Sequence, residues 1–138
     1  EENVIRSITC LDGLSKSGTP RFFTRINPDT LEEVVIMEAE NLKDFSFMED
    51  LKGIKTLLLH KAAIGDGEMF DGFDWLENLI LYQVDLEEED AEEVVDGLLK
   101  LPSLKYFHME GKAAWYIEDE QWEKWQEIYD GKILLTRE

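Results

Sequence analysis

The chain has 138 residues, enough for one domain with a sizeable core, and 43% of them are apolar, an ordinary share for a globular protein. Its 32 acidic residues against 14 basic ones give a net charge of −18, which argues against nucleic acid or an anionic membrane surface as partner and suits a basic protein. One cysteine, Cys10, leaves no internal disulfide to form, and no run of about 18 apolar residues is present to span a bilayer. With no signal-peptide pattern either, a cytoplasmic location is expected. The chain opens on Glu1 rather than Met and is read as a processed form or a piece of something longer.

In chain order, the first apolar pattern is "IRSITCLDG", anchored by Ile5, Ile8 and Cys10. Residues 14–30, "LSKSGTPRFFTRINPDT", break the pattern with Gly18, Pro20 and Pro28 and carry the basic Lys16, Arg21 and Arg25. They read as an irregular or partly helical crossover. "LEEVVIMEA" follows, anchored by Leu31, Val34, Ile36 and Ala39. Then come "NLKDFSFMEDLKG", room for about one helical turn with Phe45 and Met48 pointing inward, and "IKTLLLHKA", anchored by Ile54, Leu57, Leu59 and Ala62. A second short return, "GDGEMFDGFDWLE", supplies Phe70 and Phe73. "LENLILYQV" is anchored by Leu76, Leu79, Leu81 and Val84. In the longer return after it, Ala91, Val94, Val95, Leu98 and Leu99 fall at helical spacing, acids lead the helix, and Pro102 stops it. "LKYFHMEGK" is anchored by Leu104, Phe107 and Met109. A helix over about 118–129 is expected next, its apolar face made by Trp122, Trp125, Ile128 and Tyr129, with a stop at Gly131 and a last short strand in "KILLT".

Four of these segments read L-x-x-L-x-L, starting at 31, 54, 76 and 104, so the steps are 23, 22 and 28 residues. The weaker copy from Ile5 precedes them. One such motif occurs by chance; four in phase do not. On these motifs, residues 5–112 resemble the leucine-rich-repeat superfamily, whose repeats run to roughly 20–29 residues. The resemblance implies an α/β fold: a short solenoid with a parallel sheet on its concave face and helices or 3-10 turns on its convex face. The chain then divides, as one domain over 1–138, into an N-terminal repeat and crossover (1–30), core repeats (31–112) and a helical C-terminal cap (113–138). The fourth copy departs at Lys112, where the family prefers a small or Asn-like residue, and the turn there is expected to differ.

Strand side chains alternate, so the residues between the anchors face away from the core. Three rows result. One holds Thr9, Val35, Leu58, Ile80 and His108. A second holds Leu11, Met37, His60, Tyr82 and Glu110, and a third Ser7, Glu33, Thr56, Asn78 and Tyr106. The centre is apolar and the rim polar, the pattern of a contact surface. The expected partner-binding residues are Val35, Met37, Thr56, Leu58, His60, Asn78, Ile80, Tyr82, Tyr106 and His108. Residues 14–30, the C-terminal tail or a second copy of the chain are the other candidate covers for the apolar row, and the last would make a homodimer.

Nothing in the sequence calls for catalysis, a cofactor or a metal. "GDGEMFDGF" lacks the lysine of a phosphate loop, and the acidic run over 85–96 lacks the alternating spacing of a calcium loop and reads as a solvated face. His60 and His108 lie two strands apart without an obvious carboxylate or nucleophile partner and read as rim contacts; Cys10 reads as an inert buried thiol. The expectation is therefore a non-catalytic recognition module binding a protein, with an inhibitor or immunity protein as the specific form suggested by analogy with the acidic ribonuclease-inhibitor group. The alternatives are a client-recognition segment of a larger adaptor and a self-associating structural domain.

Overall fold

The computed structural model describes residues 7–10, 31–37, 39, 53–65 and 70–138. The readings at Ile5, Leu11, 14–30, Phe45 and Met48 lie outside the described residues. Strands β1 (Ser7–Cys10), β2 (Glu33–Ile36), β3 (Thr56–His60), β4 (Asn78–Tyr82), β5 (Tyr106–Glu110) and β6 (Leu134–Arg137) form one sheet. They lie side by side in sequence order, and every neighbouring pair is parallel. Parallel neighbours need a return connection each time, and three helices occupy the later returns: α1 (Ala91–Leu99), α2 (Lys112–Trp115) and α3 (Asp119–Ile128). The architecture is mixed α/β. Among the described residues no helix is long and apolar enough to cross a membrane.

The backbone repeats the same bonds from strand to strand. Before each of β3, β4 and β5 one carbonyl accepts two amides. The Glu32 carbonyl takes Lys55 and Thr56 at 2.8 and 2.9 Å, that of Lys55 takes Glu77 and Asn78, and that of Glu77 takes Lys105 and Tyr106. After each of β3, β4 and β5 the next amide donates across to the neighbouring copy: Lys61 to Tyr82, Gln83 to Glu110, Gly111 to Glu138 just past β6. Lys61, Gln83 and Gly111 occupy equivalent places and all turn left-handed, with φ of 61°, 52° and 109°. Glycine is needed at the third. A Cβ on Gly111 would lie 3.0 Å from the Gln83 Cα.

Alternation along the strands puts Val34, Ile36, Leu57, Leu59, Leu79, Leu81, Phe107 and Met109 into one buried cluster, with Leu31, Ile54, Leu76 and Leu104 beneath the strand starts. Ala39, Ala62 and Val84 close each copy as buried residues. At the fourth, Lys112 is exposed and starts α2, and Ala113 and Ala114 turn inward. An ammonium does not go where alanine went, and the left-handed Gly111 redirects the chain.

The helices bury the faces that their spacing implies. In α1, preceded by a 3-10 turn at Glu88–Asp90, these are Ala91, Val94, Val95, Leu98 and Leu99. Phe70 and Phe73 meet edge-on in the core, 6.1 Å between ring centres. In α3, Trp122 lies 6.4 Å from Phe107, which seats the helix on the inner side of the sheet. The Trp125 indole N–H donates to Asp96 at 3.1 Å, tying α3 to α1. One expectation fails here. Ile128 is 69% exposed, because it falls to the side of the Trp122–Trp125–Tyr129 stripe at the helix end. The last strand also begins two residues later than "KILLT", at Leu134.

The face assignment has a direct check in urea unfolding. Leu57→Ala should cost about 2–5 kcal/mol, the range for deleting a buried leucine. Leu58→Thr, one residue along on the other face, should cost about 1 kcal/mol or less.

Candidate recognition face

The face opposite the core is built from the alternate residues of β2 to β6. Ladder pairing sets Val35, Leu58, Ile80, His108 and Thr136 abreast. A second row runs Glu33, Thr56, Asn78, Tyr106, Leu134, and a third runs His60, Tyr82, Glu110. The ten expected partner-binding residues, Val35 to His108, therefore sit on this face, with Met37 just past the end of β2. Val35, Met37, Leu58 and Ile80 are half-buried, as side chains on an open sheet face are. Asn78 donates to the Thr56 hydroxyl at 3.0 Å, which holds the polar row in place.

The histidines differ from their sequence reading. His60 is 9% exposed and packs against the Tyr82 ring at 5.4 Å, so it offers little surface as a rim contact. His108 does have a carboxylate partner. Its Nε2 lies 3.2 Å from the Glu110 carboxylate, two residues along and therefore on the same face. Its Nδ1 lies 2.6 Å from the Thr136 hydroxyl, which also bonds the Tyr106 hydroxyl at 3.2 Å. The Tyr106 and His108 planes are parallel to within 5°. Tyr82 completes the chain: the charge of Glu110 and a hydrogen bond to it, with burial and Glu138 adding, hold its phenol above the usual range. The result is a polar patch at the β5–β6 end of an otherwise apolar row.

Sequence reasoning missed Thr136 because β6 hides its register. Leu135 pairs with Phe107, but the flanking anchor positions hold Lys132 and Arg137 where the other copies hold apolar residues. Arg137 nevertheless fits. Its guanidinium donates to the carbonyls of Ala114 (3.2 Å) and Ile117 (2.8 Å), pairs with Asp119, and lies 4.9 Å from the Trp122 ring centre. It satisfies carbonyls left open where α2 ends.

At the edge where the strands begin, an open groove of about 680 Å³ is lined by Lys55, Trp75, Glu77, Lys105 and Lys132 among others. Trp75 is 63% exposed there. The groove's cations are largely engaged. Lys105 pairs with Glu77 at 2.8 Å, which lowers the Glu77 pKa, Lys55 lies 4.0 Å from Glu32, and Lys132 lies over the Tyr129 ring. On the return side, the acids from Asp85 to Glu93 are exposed or half-buried, consistent with a solvated run. No family model, curated protein or solved structure matches the chain.

The Tyr82–Glu110 contact can be read by phenolate absorbance in metal-free buffer. One tyrosine should titrate above the usual range, and Glu110→Gln should return it towards about 10. A raised folded pKa means that this contact's contribution to stability is complete below the ordinary phenol value and is lost as pH rises through the raised one.

Proposed function

We propose that this protein is a non-catalytic recognition module, a short leucine-rich-repeat solenoid that binds a basic protein on the outer, concave face of its sheet. The observation that carries this reading is the row Val35–Leu58–Ile80, three half-buried aliphatic side chains in register on the face that does not serve the core. Parallel sheets usually have both faces covered, so an apolar row left on the outer face calls for something to cover it; an apolar centre ringed by Thr56, Asn78, Tyr82 and Tyr106 has the composition of a binding surface. The repeated strand-start and strand-end bonds support the solenoid part of the reading, since each copy makes the same contacts to the next.

Charge supports the choice of partner. Residues 85–96 hold eight acids in twelve positions, within a net charge of −18. Such a field speeds encounter with a basic protein more than it adds affinity, while the apolar row holds the complex once formed. An inhibitor or immunity protein acting on a basic enzyme is the form that best uses a small, strongly acidic scaffold.

The double variant Leu58→Glu/Ile80→Glu tests this. It should keep cooperative unfolding and the circular dichroism of the wild type while weakening the partner by at least about 2 kcal/mol, roughly thirty-fold. A variant that no longer folds would make these residues core and overturn the reading, as would a partner bound equally well. Raising salt should slow association more than it speeds dissociation. Light scattering of the isolated chain separates this from self-association, which predicts a dimer that the double variant abolishes.

A further inference from the structure

We infer that His108, Glu110 and Glu138 form a three-ligand site for a divalent transition metal, with Zn²⁺ as the best match. One nitrogen and two carboxylate oxygens, one from each residue, lie within 4.8 Å of one another. The His108 Nε2 to Glu110 oxygen distance is 3.2 Å. Ligands about 2.0–2.2 Å from a tetrahedral zinc stand roughly 3.3–3.5 Å apart, so this edge is close to its bound length and the third ligand needs only a side-chain adjustment. Two carboxylates and a neutral imidazole balance the charge of a divalent cation. Without one, two like charges share the patch.

The ligands stand on ordered backbone. His108 and Glu110 are alternate residues of β5 and so point the same way. Glu138 follows β6, and its backbone is held on both sides: its amide donates to Met109 at 3.0 Å, and its carbonyl accepts from Gly111 at 3.1 Å. The imidazole is oriented as well. With Nε2 on the metal, Nδ1 carries the proton and donates to the Thr136 hydroxyl, which is itself hydrogen-bonded to the Tyr106 hydroxyl. Metal-bound histidines regularly have their second nitrogen held in this way. Thr136 is thus a positioning residue. The mixed nitrogen and oxygen set favours zinc over magnesium or calcium, which prefer all-oxygen shells. Three protein ligands leave a fourth position for water, on the face where a partner would dock.

Calorimetry of the full chain with ZnCl₂, in an excess of MgCl₂, tests the inference independently of any protein partner. One Zn²⁺ per chain is expected. His108→Gln and Glu110→Gln should each weaken it at least about tenfold, and Thr136→Val about tenfold through the imidazole. Glu92→Gln/Glu93→Gln on α1 should leave it unchanged. Imidazole NMR of the wild type needs no variant: zinc should move the His108 resonances and leave those of His60 in place. Absence of zinc binding, its removal by magnesium, or equal affinity in His108→Gln or Glu110→Gln would overturn the site and leave only diffuse attraction to an acidic surface.

Discussion

The register of the parallel ladder governs the other features of this molecule. Each strand is only four or five residues long, and its side chains alternate between two faces. A slip of one residue in β3 would send Leu58 inward and expose both Leu57 and Leu59. The bonds at the strand starts and ends prevent that. One carbonyl accepts two amides on entering each of β3, β4 and β5, and a left-handed residue turns the chain on leaving each. Because these contacts recur at the same place in β3, β4 and β5, the register that separates the core row from the outer rows is kept from β2 to β5.

Burial then sorts the side chains. The aliphatic ladder, the two phenylalanines of the short return and the indoles of α3 share one core. At its last strand the ladder meets Arg137 in place of an aliphatic residue, yet the core remains satisfied. The arginine's guanidinium lies over Trp122 and also takes up the carbonyls of Ala114 and Ile117. A planar guanidinium with several donors can close the end of a core in this way, whereas a lysine ammonium at the same place could not serve two carbonyls and an indole face at once.

Charge is distributed with similar economy. The long acidic run lies on a return segment, where carboxylates are hydrated and lead into the amino end of α1. At the strand starts, Glu32, Lys55, Glu77 and Lys105 alternate in sign across the sheet and compensate one another. The outer face keeps its carboxylates to its margins, with Glu110 and Glu138 at the β5–β6 end beside His108 and away from the aliphatic row. Apolar contact and metal chemistry can therefore occupy one face without competing for the same side chains.

Much of the strand pattern could be read from the chain because it is local and repeated. L-x-x-L-x-L at near-constant steps places β2 to β5, their register and the direction in which Leu58 and Ile80 point, and the spacing of Ala91 to Leu99 places the buried face of α1. Both follow from periodicity, which a sequence carries residue by residue. Ile128 and β6 were less legible. The helix stripe passes to one side of the first, and two basic residues break the anchor pattern of the other. Only the tertiary structure decided that His60 is sheltered, that His108 meets Glu110 and Thr136, and that Glu138 joins them. The His108–Thr136 contact links β5 to a strand 28 residues further on, and such long-range meetings depend on how the returns fold. Periodicity says which way a side chain points, and only packing says what it meets.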